Sequence, residues 1–367
     1  MTLLRSALLA LLVFSIAACD STGPDGPAAS VLYVGNAGNF SDNNGSLTRY
    51  DLATETATQD AVPNLGGLVQ NLYGEGNTLS VLLNFDDSFS TGRGRIDLVD
   101  AVTGQRTRQI DVRTPRAQAG FVFTGSGPAE VYVSNLYDNT VTPITLASGE
   151  AGTPISVGSA PEGVVSAGGR VYVANSGFGA GTSLSVLADG RVVDTLDGVC
   201  TGPRTLLRDA DGEVWVICTG ARDFTTGAVT APGEVVVLDA ATGAVRQRTA
   251  FPGETLGSAT FGQDGTVTAS LDRPEIYVIT ETGVARFDTR TNTRTARIVV
   301  SGAPIGAVAY DVAEDRLYLG RPDAASPYTV DGVVTIHDRE GTEVGRFGAG
   351  IAPASMAFVS ATRLVQE

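Results

Sequence analysis

The sequence contains no lysine, one histidine and three cysteines, so several kinds of chemistry lack their usual residues. All 25 basic residues are arginine, which we attribute to codon usage in a GC-rich genome. A zinc site, a Ser-His-Asp triad and a Cys-His nucleophile all depend on histidine or on several cysteines, and His337 is the only histidine. We therefore predict no metal, no cofactor and no catalytic residue, while hydrolysis by a pair of carboxylates stays open.

An excess of basic charge is also missing, because the net charge is −15 at pH 7. Nucleic-acid binding requires clustered basic residues that neutralise phosphates, so we expect no nucleic-acid partner. Helical periodicity is hard to find after residue 20. The chain instead has 45 glycines, 16 prolines and 43% hydrophobic residues, a composition that favours many short strands joined by turns around an ample core.

Residues 1–18 are predicted to be a signal peptide that is removed on export. Their apolar run, 6–18, is shorter than the about 20 residues that a helix needs to cross a bilayer. It ends in Ile-Ala-Ala followed by Cys19, which resembles a bacterial lipobox and implies lipidation of Cys19. An ordinary signal peptide followed by a chance cysteine is the alternative. Residues 19–30 are small, polar and rich in Pro and Gly, and we interpret them as a flexible tether.

Residues 31–361 contain repeated units of four short strands. The clearest unit, 161–196, holds four apolar segments separated by turn residues. Its second segment recurs along the chain as VLYVGN, LSVLLN, EVYVSN, RVYVAN, EVWVIC and RLYLGR. Successive units begin 40 to 50 residues apart, as Pro161 and Pro203 do. A four-strand repeat of this length is typical of a propeller blade.

We therefore predict an all-β fold, a seven-bladed β-propeller of four-stranded antiparallel blades, with a short tail at 362–367. One blade is split: the segment 31–61 supplies its second, third and fourth strands, and 353–359 supplies its first. Pairing the two ends closes the ring and removes exposed sheet edges. The unit at 255–300 is irregular, and an eight-bladed ring is the alternative.

Most third strands end at an aspartate that we interpret as part of a turn. An Asp carboxylate can accept hydrogen bonds from backbone N–H groups two residues further on. The aspartates concerned are Asp51, Asp100, Asp189, Asp239, Asp288 and Asp338.

The units P-x-G-V…RVYVAN…LSVL-D and EVYVSN…NTVTPI resemble the YVTN family of β-propeller repeats, over nearly all of 31–361. The resemblance implies a seven-bladed ring in an exported or surface-layer protein that has a binding role. It transfers no catalytic residue, because the family shares none.

Cys200 and Cys218 are the two cysteines that remain once Cys19 is assigned to lipid. An even pair in an exported protein predicts a disulfide. The repeat places Cys200 in the loop entering the fifth unit, beside Cys218 at the end of its second strand. Two free thiols are the alternative.

The strand order predicts a binding face at the mouth of the central channel. First strands begin there and second strands end there, under the longest loops, at 85–94, 219–233 and 320–332. The alternative is that each asparagine caps its own turn and the channel holds water. The candidate residues are Asn36, Gln70, Asn84, Gln118, Asn135, Glu162, Asn175, Arg204, Arg222, Ser258, Arg321 and Ser355.

Together these features predict a monomeric β-propeller that is exported and lipid-anchored to a bacterial cell membrane, facing the periplasm or the cell surface. We expect it to bind an envelope protein, a peptide or a glycan through the channel mouth. One alternative is a propeller enzyme, such as a lactonase, lyase or glycoside hydrolase, that uses carboxylates at the mouth. Another is a structural component of the envelope.

Overall fold

The computed structural model describes residues 31–119, 130–223, 225–258, 267–270, 273–302 and 304–359. The predicted signal peptide, the tether with Cys19, and the tail lie outside the described residues. Regular structure in the described residues is nearly all β-strand. None of their helices has the length and hydropathy that crossing a membrane requires.

The first half of the ring consists of blades 1 to 4. Blade 1 begins with β1 (Val31–Asn36), β2 (Ser46–Asp51) and β3 (Thr56–Thr58). Blade 2 contains β4 (Leu68–Glu75), β5 (Thr78–Asn84), the short helix α1 (Ser88–Thr91), β6 (Arg93–Asp100) and β7 (Arg106–Arg113). Blade 3 contains β8 (Pro115–Gln118), β9 (Val131–Asn135), β10 (Thr140–Thr145), β11 (Glu150–Ala151) and β12 (Ile155–Ser156). Blade 4 contains β13 (Pro161–Ala167), β14 (Arg170–Asn175), a 3₁₀ turn (Gly177–Gly179), β15 (Ser183–Ala188) and β16 (Arg191–Leu196).

The second half consists of blades 5 to 7 and the closing strand. Blade 5 contains β17 (Pro203–Arg208), β18 (Val214–Cys218), β21 (Gly233–Leu238) and β22 (Val245–Phe251), with a hairpin of β19 (Ala221–Arg222) and β20 (Val229–Ala231) inserted. Blade 6 contains β23 (Val267–Ser270), β24 (Glu275–Thr280), β25 (Gly283–Asp288) and β26 (Thr293–Val299). Blade 7 contains β27 (Ala307–Asp311), β28 (Arg316–Arg321), β29 (Asp331–His337) and β30 (Glu343–Ile351). The last strand, β31 (Pro353–Val359), returns to blade 1.

The ring closes through blade 1, as predicted. There β1 pairs antiparallel with β2 on one side and with β31 on the other. The innermost strands contact one another in the order β31, β4, β8, β13, β17, β23, β27 and back to β31. The fold is therefore a seven-bladed β-propeller, and the eight-bladed alternative is wrong.

Blades 3 and 6 both differ from what the sequence predicts, since blade 3 has an irregular outer strand and the unit at 255–300 forms a regular sheet. In blade 3 the outer strand is broken into β11 and β12, which both pair with β10. Pro154 lies in the break and has no N–H to donate to a ladder. In blade 6, β23 to β26 form a regular four-stranded sheet. The surplus segment of this unit, at 259–261, lies outside the described residues.

The hydrophobic core lies between the blades. Seven clusters of buried apolar side chains each join two neighbouring blades. In the cluster between blades 5 and 6, Trp215 packs edge to face on Phe287 with ring centroids 5.7 Å apart. Each blade therefore buries its faces against two others, and its stability depends on the complete ring.

The tyrosine of the repeated second strand ties two neighbouring blades together. Tyr33 of blade 1 donates its hydroxyl to the Ala101 carbonyl of blade 2 at 3.1 Å. Tyr172 of blade 4 donates in the same way to the Ala240 carbonyl of blade 5 at 2.7 Å. Both acceptors belong to a D-A-x-T-G turn, so this turn also bonds to the preceding blade.

Five of the six repeated aspartates cap the turn after the third strand through backbone N–H groups, as predicted. These are Asp51, Asp100, Asp239, Asp288 and Asp338. At Asp189 the turn is made by the backbone, because Asp189 and Gly190 both have positive φ, at 49° and 69°. This is the combination that a tight two-residue hairpin requires.

Cys200 and Cys218 form a disulfide, with Cα atoms 6.1 Å apart. Cys200 lies between blades 4 and 5, and Cys218 is the last residue of β18. Next to the bridge, Thr219 N–H donates to the Gly202 carbonyl at 2.9 Å and Gly220 N–H to the Thr201 carbonyl at 3.0 Å. The bridge thus holds the start of the 219–233 loop against the entry to blade 5.

Reducing the disulfide is expected to lower the free energy of unfolding by about 3 kcal/mol, because the unfolded chain regains the entropy of the opened loop. The double variant Cys200→Ser with Cys218→Ser should lose a similar amount, and adding reductant to it should change nothing further. Denaturant unfolding with and without reductant measures both effects. Equal unfolding midpoints for the oxidised and reduced wild type, or alkylation of both thiols in the native protein, would contradict this assignment.

Candidate functional site

Loops after the second strands gather on one face of the ring, which we call the mouth. The loops that follow β1, β5, β9 and β14 border a cavity of about 490 Å³, the apolar cavity. The starts of first strands form its floor through Leu68, Val69, Gln70 and Arg116. Loops and strand starts therefore meet on one face of the ring, and the lining of the cavity there is largely apolar.

Four exposed aromatic side chains, which we call the aromatic rim, line the apolar cavity. Phe40, Phe89, Tyr137 and Phe178 come from blades 1, 2, 3 and 4 and are 60%, 76%, 36% and 67% exposed. The Phe89 and Tyr137 rings are 5.3 Å apart edge to face, and Tyr137 stacks on Phe178 at 6.1 Å. The other large apolar side chains that are exposed in the described residues are valines: Val193, Val245, Val299, Val330 and Val344.

Phe178 is held in an unusual backbone conformation. Its φ and ψ are 55° and 37°, in the left-handed region, between Gly177 and Gly179, which also have positive φ. A bulky side chain there costs on the order of 1 kcal/mol relative to glycine. Apart from its stacking on Tyr137, the large apolar ring is mostly in water and gives the folded protein little packing in return.

A second cavity of about 370 Å³, the charged cavity, adjoins the first and shares Arg116 and Phe178 with it. Its charged lining consists of Arg116, Glu162, Arg204 and Arg222. Arg222 is paired with Glu281. The mouth thus has an apolar side over blades 1 to 4 and a charged side that reaches blade 5.

Glu162 is the centre of the charged cavity. Its Oε2 accepts from Arg116 at 3.2 Å and from Arg204 at 3.0 Å, and its Oε1 accepts from the Ser176 hydroxyl at 2.8 Å. Arg116 also donates to Gln70 Oε1 at 2.7 Å, so the network links blades 2, 3, 4 and 5 across the channel. Both oxygens of the carboxylate are engaged.

Of the predicted residues, the two cavities of the mouth are lined by Gln70, Asn84, Glu162, Arg204 and Arg222. The sequence analysis did not include Arg116. A signal was present, because Arg116, Glu162 and Arg204 each directly follow the proline that starts a first strand, in blades 3, 4 and 5. The aromatic rim was also missed, although each member lies in a loop after a second strand.

Three of the predicted asparagines are engaged in fixing their own blade. Each is buried at the end of a second strand, and its Nδ2 donates to two hydroxyls of the third strand. The pairs are Asn36 with Ser46 and Thr48, Asn135 with Thr140 and Thr142, and Asn175 with Ser183 and Ser185. These side chains hold the second and third strands of their blade together, and neither the binding role nor the turn-capping alternative had predicted these partners. Asn84 differs, because it lines the apolar cavity. Its buried Oδ1 has no donor among the described residues, which is also true of Asn36 and Asn135.

The remaining predicted residues do not line either cavity. Gln118 and Ser355 are buried on the first strands β8 and β31. Arg321 is buried and donates to Thr335 Oγ1 at 3.2 Å. Ser258 donates its hydroxyl to the Gly306 carbonyl at 2.7 Å.

The part of the chain that the structure describes contains no cluster of metal-ligating side chains. No three His, Cys, Asp or Glu side chains there lie close enough to hold an ion. His337 is a buried strand residue whose ring nitrogens lie 3.0 Å from the Gly341 carbonyl and 2.8 Å from Thr335 Oγ1. Burial lowers the pKa of this imidazole.

No protein-family model and no curated protein matches the chain. Solved structures do share its fold. The periplasmic gluconolactonase of Pseudomonas aeruginosa is 17% identical with a TM-score of 0.66, over 90% of this chain and 99% of that chain. The hydrazine synthase of Kuenenia stuttgartiensis is 20% identical with a TM-score of 0.61, over 79% of this chain and 89% of that chain. At these identities the likeness concerns the fold alone, and the fold is a seven-bladed β-propeller.

Proposed function

We propose that this protein is a lipid-anchored propeller of the cell envelope, of the YVTN type, that binds a ligand in its mouth. The observation that carries the binding role is the aromatic rim. Monomeric soluble proteins rarely expose several large aromatic side chains side by side, and such patches commonly mark binding sites. The four rings line one cavity, whereas the exposed valines of β16, β22, β26 and β30 lie on outer strands, each in a different blade.

The export and anchoring part of the proposal depends on the sequence. A signal-like segment that ends at Cys19 precedes the propeller, and the Cys200–Cys218 disulfide is of the kind found in oxidising compartments outside the cytosol. Lipidation of Cys19 would hold the propeller at a membrane while the mouth stays open to a ligand.

The bonding of Glu162 favours binding over catalysis at the mouth. Burial alone would raise the pKa of its carboxyl, but Arg204, Arg116 and the Ser176 hydroxyl outweigh burial, and the pKa lies below its ordinary value. A carboxylate that stays ionised with both oxygens engaged is poorly suited to act as a general acid. Its role is to hold two arginines in place as the floor of the mouth.

Truncating the rim should weaken ligand binding without unfolding the protein. Phe89→Ala combined with Phe178→Gly removes two rings that are mostly in water, and we expect a loss of at least about 2 kcal/mol, or about 30-fold in affinity. The melting temperature should stay the same or rise, because glycine adopts the conformation of residue 178 without strain. Crosslinking capture from native envelopes, quantified by mass spectrometry, measures the binding.

The matched control is Val245→Ala combined with Val344→Ala, which shortens two exposed side chains on outer strands. The control should capture the same species as the wild type. Identical captured species and yields for the wild type and the rim variant would contradict a binding role of the mouth. A hydrolytic activity of the purified chain on lactones, retained in the valine control, would instead support the enzyme alternative.

Glu162→Gln should destabilise the fold by about 3–5 kcal/mol, because it leaves Arg116 and Arg204 with little countercharge in a buried site. The wild-type carboxyl has a lowered pKa in the folded state, so its contribution is present above the ordinary pKa of 4.5 and is lost as the pH falls through the lowered value. The difference in the free energy of unfolding between wild type and Glu162→Gln should therefore be largest at pH 6 to 7 and should decrease below about pH 4.5.

The control for this prediction is Glu343→Gln, which alters the exposed pair with Arg346. It should cost less than about 1 kcal/mol. Denaturant unfolding at several pH values measures both variants. A Glu162→Gln protein as stable as the Glu343→Gln protein at pH 7 would show that the buried network contributes little.

A further inference from the structure

The hydrogen bonding of the apolar cavity restricts the chemistry of its ligand. Three of its polar side chains are engaged within the protein: Asn39 Oδ1 accepts from Ser41 N–H at 2.9 Å, Gln70 Oε1 accepts from Arg116, and Ser88 Oγ accepts from Phe85 N–H at 2.7 Å. A glycan would bury many hydroxyls here with few partners, at a cost for each unpaired group. Large apolar side chains can be buried here without that cost, because they have no polar group to leave unpaired.

Asn84 adds no specific ligand contact to the apolar cavity. Its Oδ1 is buried and has no donor among the described residues, and the equivalent Oδ1 atoms of Asn36 and Asn135 have none either. The choice of ligand therefore depends on the aromatic rings and on the charge of the mouth. An extended peptide presents large apolar side chains to such rings without burying rows of hydroxyls.

The charge of the charged cavity complements an acid. Its lining has three arginines, Arg116, Arg204 and Arg222, against the single carboxylate of Glu162. When Glu281, the partner of Arg222, is included, the described residues of this cavity carry one positive charge more than negative charges. In a chain with a net charge of −15, this is a local site that attracts a negative group.

The direction of β1 disfavours the anchoring bilayer as the occupant of the rim. Asn36, at the end of β1, lies on the side of the mouth, and Val31, at its start, lies at the far end of the strand. A six-residue strand separates its ends by about 17 Å. The described chain therefore enters β1 at the face opposite the mouth.

We propose that the mouth takes an extended polypeptide segment of a partner protein in which large apolar side chains stand close to a carboxylate. The apolar side chains lie on the aromatic rim, the carboxylate lies over the charged cavity, and the partner approaches from the side away from the anchoring membrane. This inference depends on the binding function proposed above and specifies its ligand.

Selection from a random peptide library displayed on phage tests the proposal, with the full chain held in lipid nanodiscs as the target. We expect enrichment of sequences that contain two or more aromatic or large aliphatic residues within a few positions of Asp or Glu. The rim variant Phe89→Ala with Phe178→Gly should bind the selected peptides at least about tenfold more weakly, and the Val245→Ala with Val344→Ala control should bind them as the wild type does.

Synthetic versions of the selected peptides test the charge. Replacing their Asp or Glu by the amide should weaken binding about tenfold at low salt, and the difference should narrow as the salt concentration rises. Selected peptides that are basic, or whose affinity is the same with the acid and the amide, would overturn the assignment of the charged cavity. Failure to enrich any peptide over the rim variant would overturn the peptide assignment as a whole.

A second experiment uses vesicles of phosphatidylethanolamine and phosphatidylglycerol to test whether the rim binds a lipid surface. Nanodiscs that carry the wild-type chain should not float with these vesicles, and flotation that depends on the rim would assign the rim to a lipid surface instead.

The binding function and the peptide ligand are two proposals that can be contradicted separately. Rim-dependent capture of an envelope component together with no selected peptide leaves the binding function standing and overturns only the peptide ligand.

Discussion

The pairing of β1 with β31 is the constraint on which the rest of the structure depends, because it converts a row of sheets into a ring. Each of the seven apolar clusters lies between two blades, so an open row would leave two of these faces in water. Closure also fixes the inner strands around one axis. The mouth exists only because those strands begin side by side.

The same constraint explains how residues distant in sequence form one network. Arg116, Glu162 and Arg204 occupy equivalent positions at the starts of three successive blades, and the ring brings them to within hydrogen-bond distance. The loops after the second strands are carried to the same face, which assembles the aromatic rim from four blades. The repeat thus supplies a regular ring of strands, and residues that differ between the repeats give the mouth its apolar side and its charged side.

Phe178 and Glu162 affect the stability of the fold in different ways, because one is strained and exposed and the other is buried and hydrogen-bonded. Phe178 occupies a conformation suited to glycine and remains in water, which favours a role in contact with another molecule. Glu162 is buried with both arginines in place, which favours a role in holding the frame. The exposed ring of Phe178 and the buried carboxylate of Glu162 therefore contribute to the mouth in different ways.

The sequence by itself determined the blade number, the split blade, the disulfide and the aspartate turns, because each depends on local pattern and on the spacing of one repeat. Asn36, Asn135 and Asn175 show where this approach reached its limit, since their position at the strand ends was correct and their partners on the third strand were not foreseen. Only the tertiary structure decided which side chains meet. Arg116 and the four rings of the rim come together through the curvature of the closed ring, and distances across that ring are not encoded in any single unit of the repeat.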